Sequence, residues 1–350
     1  MQTRNTYRAL LASALAVVLL VAPAAYAQDQ QAGQQDSSAQ AQGQQDREPL
    51  ETFKVDVNIV NVFFNAKTKK GLLVPNLTKD DFEIFEDGKP QTIKYFSAES
   101  NQPLTLGMLI DTSGSQAAVL RMEQEVGAQF LRQVLREKDL AFLMSFDVNV
   151  ELLQDYTNGG EDLRAGLRRT RINTGGGHSG IPGMGGGPIP TGNPRGTLLH
   201  DAVFLAADEK LKSEVGRKAM IVLTDGMDQG SRMSLRDAIE ASHRSDAMVY
   251  VLLIADEDMY ARASMGYTGD GDMKKLAEET GGRLIRVGSD EKKLREAFEQ
   301  ISNELRSQYS IGYTPTNQKK DGAFRKVELK AKNDDIKVQV RKGYFAPNAD

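Results

Sequence analysis

The sequence contains no cysteine and only three histidines in 350 residues. The first absence excludes disulfides, thiolate metal sites, a thiol nucleophile and a lipid anchored on an N-terminal cysteine. The second confines imidazole chemistry to His178, His200 and His243. An excess of basic charge is also missing. Lys and Arg number 44 against 48 Asp and Glu, a formal charge of −4, which argues against a nucleic-acid partner. Beyond the amino-terminal segment no run is long and apolar enough to span a bilayer. What the chain does have is 40% apolar residues. At this length that suffices for one large domain or two smaller ones, held by a core without covalent staples.

The amino terminus reads as a processing signal. Arg4 and Arg8 precede the apolar run "ALLASALAVVLLVAPAA", and Ala25 and Ala27 place small residues at the −3 and −1 positions of a cleavage site. A secretory signal over residues 1–27 follows, with cleavage after Ala27 and a periplasmic or secreted destination. Loss of the two arginines takes the mature charge to about −6. Residues 28–48 are mostly Gln, Ala, Ser and Asp with no large apolar side chain, the composition of a disordered tether.

Three regions follow. Residues 49–102 are β-rich. Phe53, Val55, Val57 and Ile59 alternate on one face, then the phase slips so that Val60, Val62 and Phe64 alternate on the other. "LLVP" reads as a short strand, and "TKDDFEIFEDGKPQTIKYFSA" as two strands joined at Asp87–Gly88. Residues 103–306 alternate apolar strands with helical repeats, which predicts an α/β domain with a doubly wound, mostly parallel sheet. Within it, residues 173–195 are too rich in Gly and Pro for helix or strand and read as a surface loop. Residues 307–350 return to strands. The economical arrangement pairs the two β-rich segments as a small sandwich-like element, with the α/β domain inserted between them.

In such sheets ligands bind beyond the carboxyl ends of the strands. Asp111 ends the run "LTLGMLID", with Ser113 and Ser115 in the loop and turn after it. Asp225 follows the strand "MIVLT", and Thr197 opens a helix after the glycine-rich loop. Two carboxylates and three hydroxyls thus come to one sheet edge. Taken alone, "DTSGS" is equally an Asx-turn at Asp111 with Ser115 as a helix N-cap.

"DTSGS", the distant "GT" and "LTDG" together resemble the metal-ion-dependent adhesion site of von Willebrand factor A-type domains. "LTKDDFEIFEDGKPQTI", "LAEETGGRLIRV" and "YSIGYTP" are similar to segments of secreted bacterial proteins of that class. The resemblance implies a Rossmann-like fold. It also implies that Ser113, Ser115 and Thr197 ligate a divalent cation directly, while Asp111 and Asp225 act mainly through bound water. Oxygen-only ligation suits a hard ion, Mg²⁺ first and Mn²⁺ or Ca²⁺ as alternatives. Neutral hydroxyls leave such an ion under-neutralised, so an open position favours a carboxylate from a protein or envelope partner. The expected function is therefore an exported, metal-dependent interaction module of adhesion type.

Enzymatic readings have less behind them. No "GxSxG" surrounds either serine. His178 lies in the glycine-rich loop, His200 reads as helix packing near the site, and His243 reads as surface. A metal-assisted hydrolase and a structural envelope protein with an unused site are the alternatives. "GDGDMKK" lacks the closing Glu of a calcium loop and reads as a helix start with Asp272 as N-cap.

Overall fold

The computed structural model describes residues 59–98, 102–173, 196–254 and 269–349, which lie in one compact unit, Val55–Asp350. The expected signal and tether, and residues 174–195 of the glycine-rich loop including His178, lie outside the described residues.

The chain enters through β1 (Val60–Thr68), β2 (Phe82–Glu86), β3 (Lys89–Gln91) and β4 (Ile93–Ala98). In β1 the buried parity is the second of the two phases: Val60, Val62, Phe64 and Ala66 point inward, while Ile59 is exposed. "LLVP" makes a single bridge, Lys67 with Leu73, rather than a strand. Asp87 and Gly88 both have positive φ, 48° and 78°, the geometry a two-residue hairpin turn demands and the reason Gly stands there. The expected second strand of this hairpin is split into β3 and β4, which belong to different sheets.

The α/β domain follows as β5 (Leu104–Asp111), α1 (Leu120–Val134), β6 (Leu140–Phe146), β7 (Val150–Thr157), α2 (Gly160–Arg169), α3 (Leu199–Leu205), β8 (Arg217–Thr224), α4 (Leu235–Arg244), β9 (Ala247–Leu253), α5 (Gly269–Glu279), β10 (Leu284–Arg286) and α6 (Glu291–Arg306). Its sheet has the order β10-β9-β8-β5-β6-β7, parallel except for edge strand β7. Every residue of β5 and β9 is buried, as expected of strands covered on both faces. One face packs Leu106, Met108 and Ile110 against α1 and α6, where Phe130 and Phe298 stack with centroids 4.4 Å apart. The other packs Leu109, Met220 and Val222 against α3, α4 and α5. Helix α5 begins at Gly269, so Asp272 lies inside it and is not its cap.

The carboxyl-terminal strands β11 (Tyr309–Tyr313), β12 (Phe324–Ala331), β13 (Ile336–Val340) and β14 (Gly343–Phe345) complete two four-stranded sheets with the amino-terminal ones. Their orders are β13-β1-β11-β4 and β14-β12-β2-β3. The two sheets share a core that includes Phe64, Phe82, Ile84, Ile311, Tyr313, Val327 and Leu329. Buried Glu86 is satisfied there by the hydroxyls of Tyr313 and Tyr344, which donate to Oε2 at 2.8 and 2.9 Å. The β-rich ends therefore pair with each other across the intervening domain.

The sandwich is joined to the α/β domain by polar and aromatic contacts. Glu304 of α6 receives Lys67 at 2.9 Å and Arg283 at 2.6 Å. His243 of α4 is buried, not exposed as its helix pattern suggested. It packs edge-on against Phe324 at 5.2 Å, so a second apolar surface covers the side of α4 that faces away from the parallel sheet. Burial, followed by the charge of Arg341, lowers its pKa to about 4, and it stays neutral.

Candidate metal centre

Numbered along the chain, the strands of the parallel sheet run 3-2-1-4-5-6, so the order reverses between β5 and β8. That junction is where a crevice opens beyond the carboxyl ends of the strands. Asp111 is the last residue of β5 and Asp225 follows directly on β8. Topology alone brings these carboxylates together across 114 positions of sequence.

The loop after β5 closes on itself. Asp111 Oδ1 accepts the Ser113 amide at 2.9 Å, the Asx-turn that the sequence allowed. Residues Gly114–Ala118 then form a short 3₁₀ turn that leads into α1. Ser115 lies within that turn and is not an N-cap. Its hydroxyl donates to Asp225 Oδ2 at 2.6 Å and lies 3.0 Å from Ser113 Oγ. The loop after β8 is built the same way. Gly226, with φ of 81°, turns the backbone through the left-handed region that Gly adopts without a Cβ penalty. The amide of Met227 then returns to Asp225 Oδ1 at 3.0 Å. Gly269, at the start of α5, packs so closely on this loop that a Cβ would lie 2.1 Å from Gly226 O.

Asp111, Ser113, Ser115 and Asp225 thus form one hydrogen-bonded string. Thr197 stands outside it but is held at the same edge by its backbone. Its amide and carbonyl pair with Gln229, both at 3.0 Å, and the next amide donates to Asp147 O at 2.8 Å. His200, on α3, is buried; Asp228 Oδ1 accepts its amide at 3.1 Å and Oδ2 lies 3.6 Å from its Nδ1.

Three participants were not singled out in the sequence. Thr224 donates to Asp111 Oδ2 at 2.7 Å and accepts the Gly226 amide at 3.0 Å; the hydroxyl beside the acid in "LTDG" was the available signal. Gln116 is buried with Nε2 directed at Ile254 O, 3.5 Å away. Glu123, on the buried side of α1, is 1% exposed, and neither of its carboxyl oxygens has a hydrogen-bond partner among the described residues.

The electrostatics follow from that enclosure. Asp111 is fully buried, and its pKa is pushed up to about 7, first by desolvation and then by the charge of Asp225, against the hydrogen bonds from Ser113 and Thr224. Desolvation, reinforced by Asp111, drives the Glu123 carboxyl well above the usual carboxylate range. No lysine or arginine is among the groups acting on Asp111. A buried carboxylate pair without a countercharge is costly as it stands.

The donor set fits a hard cation. Adjacent oxygens on an octahedral ion with bonds of about 2.1 Å stand about 3 Å apart, and the hydroxyl and carboxylate oxygens of the string are spaced by 2.6–3.0 Å. Among the described residues no group of three or more His, Cys, Asp or Glu could hold an ion by itself. Any metal at this edge therefore depends on the hydroxyls.

No protein-family profile and no curated protein matches the sequence. Solved structures do resemble it. A von Willebrand factor type A protein from Catenulispora acidiphila is 13% identical over 77% of this chain and 74% of its own, with a TM-score of 0.44. The vWF domain of the type V pili tip protein Mfa5 from Porphyromonas gingivalis is 12% identical over 58% of this chain and 95% of its own, with a TM-score of 0.43. Proximal thread matrix protein 1 from the mussel byssus, solved with a zinc-occupied MIDAS motif, is 14% identical over 62% of this chain and 48% of its own, with a TM-score of 0.44. These likenesses are weak and concern the fold. The 3-2-1-4-5-6 order with an antiparallel third strand, and the acid-and-hydroxyl motif at its reversal, are features of the chain itself. They make this a doubly wound, Rossmann-like α/β domain framed by a β-sandwich.

Proposed function

We propose that this chain is an exported interaction module that holds a divalent cation through Asp111, Ser113, Ser115, Thr197 and Asp225 and uses it to take a carboxylate of a protein or envelope partner. The observation behind this reading is the string from Ser113 through Ser115 to Asp225, with oxygens at ligand spacing beside a buried Asp111 that has no cationic neighbour among the described residues. A bound Mg²⁺ or Mn²⁺ would supply the missing charge and offer an open position to an outside carboxylate. The protein's own contribution is to fix the oxygens: the Asx-turn orients Ser113, and the Gly226 turn orients Asp225. Release of the signal after Ala27 and a tether over residues 28–48 would place the module in the periplasm or outside the cell.

A non-catalytic role accords with the string itself. The hydroxyls of Ser113 and Ser115 meet each other and Asp225 rather than a histidine, and a serine nucleophile would need such a base beside it.

The test is calorimetric titration of Mg²⁺ and Mn²⁺ into metal-free protein, with envelope-extract capture in Mg²⁺ against EDTA. Expected are one ion per chain and partners retained only with metal. If a folded Asp225→Ala variant binds ion and partner as the parent does, the reading is wrong.

A further inference from the structure

One face of the α/β domain concentrates positive charge of a single chemical kind. An open groove is formed by α1, α2 and α6, and its charged lining is Arg121, Arg132, Arg164, Arg168, Arg295 and the single acid Glu125. No lysine is among the lining residues. This is a local reversal of sign on a chain whose formal charge is −4.

The arginines are unevenly engaged: all three nitrogens of Arg295 have partners, Nε and Nη2 donating to Glu291 and Nη1 to Gln129, while the other four are held lightly or not at all. Arg121 approaches Glu125 at 3.5 Å with both side chains mostly exposed, a pair of little energetic weight. Arg164 and Arg295 meet Glu161 and Glu291 on their own helices. Arg132 and Arg168 make no ion pair among the described residues and are exposed. The four other guanidinium forks along the groove match groups that accept two parallel hydrogen bonds, as carboxylates do.

One end of the groove lies close in the chain to the metal edge. Arg121 stands in the first turn of α1, directly after the 3₁₀ turn that carries Ser115. From there to Arg132 the helix descends about 16 Å. Helix α2 runs back alongside it, since Gln124 reaches Thr170 Oγ1 at 2.6 Å near the top and Gly160 lies against Arg132 lower down. An extended peptide rises about 3.3 Å per residue, so the groove spans roughly five residues of one.

We propose that this groove binds an acidic polypeptide segment, continuous with the carboxylate taken at the metal edge. The position of that first carboxylate rests on the metal reading above; the arginine contacts do not. The partner is thus an Asp- or Glu-rich stretch that enters at the ion and lies along α1, its later carboxylates forked by the guanidinium groups.

Fluorescence anisotropy of labelled deca-aspartate, titrated with the full chain in Mg²⁺ and in EDTA, tests this. In both conditions the Arg132→Gln/Arg168→Gln variant is expected to bind at least about tenfold more weakly than the parent. Both residues are exposed and outside the metal string, and an unchanged melting temperature certifies the fold. Equal binding by variant and parent overturns the proposal. So does tight, arginine-dependent binding of inorganic polyphosphate with none of deca-aspartate, which would assign the groove to phosphate polymers. Failure of the metal reading has a separate signature: identical affinity in Mg²⁺ and EDTA, with the arginine effect intact.

Discussion

Asp111→Asn should make the metal-free protein more stable at pH 8. Folding raises the Asp111 carboxyl from its ordinary 3.8 to about 7, so the folded state holds a proton that the unfolded chain releases. That contribution to stability is fully present below pH 4 and is lost as pH rises through 7. The difference corresponds to about 4 kcal/mol of folding free energy. Asparagine carries no charge to desolvate. Its oxygen can still accept the Ser113 amide, and its amino group can donate to Thr224 Oγ1, a hydroxyl free to rotate. In EDTA at pH 8 the variant should therefore gain up to about 4 kcal/mol, on the order of 10 °C in melting temperature for a domain of this size. At pH 4 the gain should vanish. Mg²⁺ at a hundredfold excess over its Kd should raise the parent by about 2.7 kcal/mol and the variant by little. Urea denaturation at the two pH values, with and without Mg²⁺, measures all four. A variant less stable than the parent at pH 8 in EDTA would refute the view that burial of an uncompensated charge governs this site.

Three further outcomes follow from the same packing. Glu123→Met replaces a buried carboxyl whose oxygens lack partners among the described residues with an apolar chain of similar size; it should raise the unfolding free energy measured in urea by about 1–3 kcal/mol. Gly107→Ala would set a Cβ 2.5 Å from Phe142 Cζ in the centre of the sheet. It should cost about 1–3 kcal/mol, and less when combined with Phe142→Leu, as a double-mutant cycle would show. Glu304→Ala strands Lys67 and Arg283, which it now receives at 2.9 and 2.6 Å. A loss of about 3 kcal/mol is expected on denaturation.

The sequence was most legible where one physical requirement dominates. The strands of the parallel sheet are buried on both faces, so β5, β8 and β9 show as unbroken apolar runs whose carboxyl ends could be located to the residue. Asp111, Ser113, Ser115 and Asp225 were found for that reason. Glu123 and Gln116 were not, because one turn of amphipathic helix gives no sign of which buried position lies beneath a carboxylate. His243 was misplaced for a related cause. Its helix covers the sheet with one side and meets Phe324 with another, and a periodicity argument assumes only one buried face. The break between β3 and β4 was equally hidden, since a switch between sheets leaves the alternation of apolar residues intact.

The sandwich has a consequence for how the chain is made. Strand β1 pairs with β11 and β13, and β2 with β12, so every sheet of this element is stitched from opposite ends of the polypeptide. The amino-terminal half of the sandwich therefore emerges from synthesis long before its hydrogen-bonding partners exist. Loop closure over some 250 residues is entropically expensive for an open chain. Once the α/β domain has folded, however, Ala98 and Tyr309, which flank it, are neighbours across a strand pair. The inserted domain thus acts as a template for closure of the sandwich, and the sandwich should form last. Until then β1 and β2 present unpaired edges, the kind of surface that aggregates. A lesion deep in the parallel sheet would accordingly be felt first as lost yield of folded protein, through strands it never touches.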